Sequence, residues 1–246
     1  MSQARFRRLF SISVFIFVLL VCVYLFLHSS IFKVEKIYAT GASKVSQDEI
    51  LALAGISPGQ NIFMVDTDLA AKSVRVHPMI KSAAVIRHLP HQLEINVSER
   101  QIWALVPDPP VLLCIDEEGI CLDRLNTFSL LDYPVVTMDQ LPDRVNLGQA
   151  VNQAAVQQIK KVWDAIGDDQ KKISEFHFRN SSNEIILYTN QGTQILFGNL
   201  DRMQEKVANV KTALAMEEQV KQDGHEVLQY VDIRFEGQPV VKTRDK

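Results

Sequence analysis

One feature constrains this chain more than any other: an uninterrupted apolar run from Leu9 to Leu27. It holds 19 residues without a charge, and Ser11 and Ser13 are its only clearly polar side chains. As a helix rising about 1.5 Å per residue it reaches roughly 28 Å, close to the ~30 Å hydrocarbon core of a bilayer. Lipid offers no partner to bare backbone amides, so a helix is required there. The run exceeds the apolar core of a cleaved signal peptide, about 7–15 residues, and no A-x-A site follows it. His28, Ser29 and Ser30 lead directly into a new strand-like pattern instead. The run is read as a retained membrane anchor, residues 9–27.

Charge sets its orientation. Arg5, Arg7 and Arg8 precede the run with no acidic residue among them, whereas Lys33, Glu35 and Lys36 after it are mixed. The positive-inside rule places the tail, residues 1–8, in the cytoplasm and everything from about Ile31 outside. A tail of that length is too short for a cytoplasmic signalling domain. Of the 26 basic residues three lie in the tail, and the other 23 face 29 acidic ones, a net of −6. No basic stripe remains, which argues against nucleic acid as a partner. Apolar residues make up 47% of the 246, enough for packed cores in about two exported domains.

The first exported stretch, about 32–100, has the order β-α-α-β-β. Phe32 to Tyr38 alternates as a half-buried strand. Ser46 and Glu49 form a capping box before Ile50, Leu51 and Leu53, and Gly55 stops that helix. Asp66 or Thr67 caps a second helix that carries Leu69, Ala70 and Val74 and ends by Pro78. Ile80–Arg87 and Leu93–Glu99 are strands joined through Leu89-Pro90-His91. Helices on one face of a three-stranded sheet suit this order.

From 101 to 246 the pattern is a mixed α/β domain with an antiparallel-rich sheet. Ile102–Val106 and Val111–Ile115 read as strands, and Asp116-Glu117-Glu118-Gly119 turns the chain back through Ile120-Cys121-Leu122. Residues 126–148 read as largely irregular. Val151 to Ile166 and Leu200 to Leu214 have helical spacing. Between those helices lie strands 173–179, 184–189 and 193–197; after them come Val227–Phe235 and Val240–Lys242. The whole is an α+β fold behind a single N-terminal transmembrane helix.

No residue set points to catalysis. The histidines are scattered, none at H-x-x-x-H spacing, and His88 and His91 flank a turn. No G-x-S-x-G or nucleotide-binding glycine loop occurs. Asp116, Glu117 and Glu118 fit a solvated turn better than a cation site. Arg87 and Glu99 lie on strands expected to pair, so a cross-strand ion pair is expected; with Arg100 beside it, it reads first as a surface pair of small value and second as a joint between the exported domains. A disulfide between Cys114 and Cys121 depends on the turn. A four-residue loop sets them opposite each other within reach; a three-residue loop with a bulge pairs Ile115 with Cys121 and turns Cys114 to the other face. At the C-terminal end, a terminal strand leaves one sheet edge unpaired. Phe235, Val240 and Val241 are costly there without a partner unless they pack under the sheet, and Pro239 withholds an N–H.

Phe32-x-Val34-x-x-Ile37-x-x-x-Gly41, Asn61-x-Phe63, Pro78 and Ala83-x-Val85-x-Arg87-x-x-Pro90-x-x-Leu93-x-Ile95-x-Val97-x-Glu99-Arg100 together resemble a POTRA domain, most closely that of the division family FtsQ, also called DivIB. Ile115-Asp116-x-x-Gly119, Gly192-Thr193-x-Ile195-x-Phe197-Gly198 with Lys206, and Tyr230–Phe235 resemble that family's β domain, here 101–246. Gln101 departs from it, standing where the family usually has proline.

The resemblance implies a non-enzymatic divisome scaffold without a cofactor, in the cell inner membrane and enriched at the septum. Such a scaffold joins early division components to septal peptidoglycan synthesis. Its implied partners are FtsB/DivIC-like and FtsL-like proteins and the septal peptidoglycan synthase complex, with Arg234, Phe235, Gln238, Pro239, Val240 and Val241 as contacts. Two other classes compete. A POTRA-bearing export or outer-membrane assembly factor needs a cleaved signal and a run of barrel strands, and the chain ends before one. A membrane-tethered cell-wall hydrolase needs a nucleophile or metal set.

Overall fold

The computed structural model describes residues 3–126, 133–223 and 226–245. The chain divides into two compact units, Met1–Glu99 and Arg100–Lys246.

In the first unit, α1 spans Gln3–Leu27, and every residue from Phe10 to Leu27 is exposed. That surface has no protein to cover it and suits lipid, so α1 has the character of a membrane anchor. A single 3-10 turn, Ser30–Phe32, follows and drops Phe32 into the core. β1 therefore runs from Lys36 to Thr40, starting later than the alternation suggests: Phe32 is spent on the turn and Lys33 on a bridge to Asn61. In α2 (Gln47–Ala54) the Ser46 hydroxyl accepts from Glu49 N at 3.3 Å. In α3 (Thr67–Val74) the Asp66 carboxylate accepts from Leu69 N at 2.9 Å. β2 (Ile80–His88) and β3 (Gln92–Glu99) complete a sheet of order β1-β3-β2, with β1 parallel to β3. Ile50, Ala54, Ala70 and Val74 pack onto Ile80, Ile95 and Val97.

The register corrects the expected Arg87–Glu99 pair. Arg87 faces Leu93 and Glu99 faces Ile80, at opposite ends of the β2–β3 ladder. Arg87 instead donates to the carbonyls of Ile62 (2.9 Å) and Val65 (2.6 Å). Glu99 accepts from Ser43 N, Ser43 Oγ, Lys44 N and Val45 N at 2.8–3.0 Å. Burial pushes its pKa up, but the hydrogen bonds from Val45, Ser43 and Lys44 outweigh that and hold it at about 2. Arg100 pairs, within the second unit, with Asp116 and with Glu118 (2.7 Å).

The described residues of the second unit form one nine-stranded sheet of order β12-β11-β10-β9-β8-β7-β4-β5-β6. Its strands are β4 (Ala104–Asp108), β5 (Val111–Ile115), β6 (Cys121–Leu125), β7 (Val135–Met138), β8 (Ile173–Arg179), β9 (Glu184–Thr189), β10 (Gln194–Gly198), β11 (Glu226–Asp232) and β12 (Val240–Asp245). α4 (Gln153–Ile166) and α5 (Met203–Asp223) cover the core cluster that holds Val136, Phe176, Ile195 and Val231. β7 corrects the reading of 126–148 as irregular. It is a central strand, parallel to both β4 and β8, and joins the antiparallel β4-β5-β6 side to the β8–β12 side, in which β10 and β11 also run parallel. Residues 127–132 of that stretch lie outside the described residues.

The turn after β5 takes the bulged form. Gly119 adopts φ +80°, where a side chain is strained, and Ile115 pairs with Cys121. Cys121 enters the core under α4, while Cys114 packs with Leu105 and Leu112 on the other face. Both thiols are free, so of the two turn forms the sequence leaves open the bulged one is present and the facing pair that a disulfide needs is not.

A C-terminal sheet edge as the candidate partner site

β12 is the outermost strand. Its ladder with β11 sets Asp232 opposite Val240, Val231 opposite Val241 and Tyr230 opposite Lys242. Among the described residues no strand lies on its other side. Along that side the backbone offers N–H and C=O groups to an incoming strand.

The segment between the strands is fixed from its base. β11 ends at Asp232, short of the expected Phe235, because the Asp232 carboxylate turns the chain: it accepts from Arg234 N and Nε, both at 3.0 Å, and from Nη2 at 2.7 Å. The Arg234 hydrogen bonds hold the Asp232 carboxyl below its usual range, and Asp232 in turn raises the guanidinium's pKa. Glu184 adds a second carboxylate at 3.5 Å from Arg234. From behind, Arg202 Nη2 donates to Arg234 O at 2.7 Å. The stem of Arg234 lies against Gly198, where a Cβ would come within 3.0 Å of its Cγ.

Phe235, Val240 and Val241 are 67%, 56% and 39% exposed, so none is packed under the sheet. Gln238 is exposed and Pro239 half-buried. Of the six expected contacts, Arg234 is committed to its carboxylates and acts as the foundation of the turn. Phe235, Gln238, Pro239, Val240 and Val241 form its outer surface. Thr243 and Arg244 join them as exposed residues on a strand that runs to Asp245, beyond the expected Lys242. Their polar, charged character carries no strand pattern, although charged side chains are what an exposed edge commonly carries.

The other candidates do not converge. His88 meets Glu94 at 2.7 Å and His91 faces Glu35 at 3.8 Å. Asp116 serves its own turn, accepting from Glu118 N and Ile120 N. One set has the outline of a nucleophile and its base: His177 Nδ1 lies 2.7 Å from Thr137 Oγ1, and Nε2 lies 3.0 Å from Asp139. Thr137 Oγ1 is also 2.6 Å from the Glu175 carboxylate. That anion opposes a developing oxyanion, so the set is a polar ladder across β7 and β8.

Two family descriptions match the chain: "POTRA domain, FtsQ-type" over residues 32–100 and "Cell division protein FtsQ/DivIB, C-terminal" over residues 104–234. The cell division protein FtsQ of Anaeromyxobacter sp. (strain K) is 31% identical over 76% of this chain and 64% of its own length. FtsQ of Syntrophotalea carbinolica is 37% identical over 54% of this chain, yet the match spans only 45% of that protein. The cell division protein DivIB of Bacillus subtilis is 28% identical over 78% of this chain and 70% of its own.

Proposed function

The chain belongs to the FtsQ/DivIB family of cell division proteins, and from that premise we propose that it is a non-enzymatic scaffold of the divisome. In this reading it couples early division components to septal peptidoglycan synthesis by binding FtsB/DivIC-like and FtsL-like proteins. Its parts are a cytoplasmic tail (1–8), a membrane anchor (9–27), a POTRA domain (32–100) and a β domain (101–246). The anchor holds it in the inner membrane with its bulk outside the cytoplasm, at the septum. The single observation that carries the binding role is β12, an edge strand with Phe235, Val240 and Val241 exposed beside its free side. A partner segment that added a tenth strand would satisfy that backbone and cover those side chains.

The test is the affinity of the full chain, in detergent, for the extracytoplasmic segment of an FtsB-like partner. Phe235→Ala should weaken binding by about 2 kcal/mol, roughly thirtyfold, as removal of a buried interface aromatic does. Its melting temperature should not move, because Phe235 is exposed in the free protein. Unchanged affinity both for Phe235→Ala and for a chain lacking residues 238–246, each still folded, would overturn the edge-binding reading.

A further inference from the structure

The first unit ends, on the side of the anchor, in an apolar tip that the partner-binding reading does not use. Ile62 and Val65 are buried, so the two residues between them must face out: Phe63 is 42% exposed and Met64 67%. The loop that presents them is braced. Arg87 donates to the carbonyls of Ile62 and Val65, and Asn61 Oδ1 accepts from Phe63 N at 2.9 Å. Exposure of this pair is therefore built into the fold.

The tip's position relative to the anchor follows from contacts within the same unit. Asn61 Nδ2 donates to the carbonyl of Leu27, the last residue of α1, at 2.6 Å. Phe32 stacks edge-on to Phe26 at 5.2 Å and lies 5.0 Å from Phe63, centroid to centroid. The residues linking Leu27 to Lys33 could reach roughly 20 Å if extended, yet these contacts draw the loop down to the end of the span. Ile31, 57% exposed, lies in that link. Leu89, 57% exposed, is in the β2–β3 turn, and the backbone bonds from Glu35 N and Lys36 N to His91 O bring that turn to the same end of the sheet.

We propose that Ile31, Phe63 and Met64, flanked by Leu89, enter the headgroup and upper acyl region of the outer leaflet, so that the POTRA unit is seated on the lipid surface. An apolar tip continuous with a membrane-spanning helix cannot avoid that zone. Aromatic and aliphatic groups are favourable there, whereas in water they would form a costly exposed patch. The nearby charges, Lys33, Glu35 and Lys36, are mixed, so the driving force is apolar insertion and not attraction to anionic lipid. The consequence is a second attachment point that restrains how the unit tilts on its anchor.

The inference rests on the anchor part of the proposed function and is independent of β12. The experiment puts the full chain into nanodiscs of phosphatidylcholine with plain or brominated acyl chains. Three single substitutions are compared, Met64→Trp, Val76→Trp and Val18→Trp, after subtraction of the parent chain's own Trp103 and Trp163 emission. Val76 is 76% exposed and precedes β2, whose nine residues place its start roughly 30 Å from the Leu89 end. Val18 lies in α1. Bromine should quench most of the emission added by Met64→Trp and by Val18→Trp and leave that of Val76→Trp intact. Met64→Trp as bright as Val76→Trp, with Val18→Trp quenched, overturns the seating alone. An unquenched Val18→Trp overturns the anchor reading and the seating with it. Neither result bears on the affinity measured at β12.

Discussion

Lys206 offers the sharpest test of how the candidate edge is held in place. It sits in the first turns of α5 and is 1% exposed. Its ammonium donates to Asn199 O and Asn199 Oδ1, both at 3.0 Å, pairs with Asp201, and lies 5.5 Å from the centre of the Phe197 ring. These acceptors belong to the loop between β10 and α5. In the same loop Arg202, at φ +45°, donates to Arg234 O and so anchors the segment before β12. Lys206→Met keeps most of the stem's volume and removes the charge. Two charge-assisted hydrogen bonds are lost, and together they are worth about 3 kcal/mol. Asp201 is more than half exposed and re-solvates, so it adds little to the loss. Relief of the buried ammonium's own desolvation trims the net to about 2 kcal/mol. For a unit of this size that corresponds to a melting temperature lower by roughly 6 °C. Both tryptophans, Trp103 and Trp163, lie in this unit, so tryptophan emission during a thermal ramp of the full chain follows its unfolding. Partner affinity should fall as well, because the turn carrying Phe235 loosens. If Lys206→Met melts within about 1 °C of the parent and binds equally well, the loop is not held by the ammonium and the chain of contacts to Arg234 has no energetic meaning.

Two further outcomes follow from the electrostatics. The Glu99 carboxyl is held at about 2 in the fold against 4.5 in the unfolded chain. Its contribution to stability is therefore complete above about 4.5 and is lost as the pH falls from there towards 2. Protection against hydrogen exchange at the amides of Lys44 and Val45, taken relative to the intrinsic rate at each pH, should fall over that range, and Glu99→Gln should flatten the dependence. Identical pH profiles for the two proteins would refute the assignment. For the exported cysteines, burial drives the Cys114 thiol up to about 11 and raises that of Cys121 as well. Folded protein at mildly alkaline pH should leave both unalkylated, and unfolding without reductant should label each once. A pair that stays unlabelled after unfolding, with a mass lower by two hydrogens, would mean that they are bonded.

The sequence alone determined what depends on near neighbours. The anchor is legible because nothing but lipid suits an uncharged run of that length. The starts of α2 and α3 are legible because a cap acts over three residues: Ser46 to Glu49 N, and Asp66 to Leu69 N. The β-α-α-β-β order and the exposed apolar residues at the C-terminal edge came from the same local periodicities. What the tertiary structure decided are the matters of register and long-range pairing. β7 is four residues long and gains its place only by lying between β4 and β8, distant in sequence. A one-residue choice in the turn at Gly119 sends the two cysteines to opposite faces, because side chains alternate with period two. Arg87 and Glu99 lie on paired strands, but the offset of the ladder separates them, and each is satisfied by backbone groups more than twenty residues away. An edge strand is defined by which strand lies beside it and which does not. The residues of β12 could suggest that position, but only the order of all nine strands fixes it.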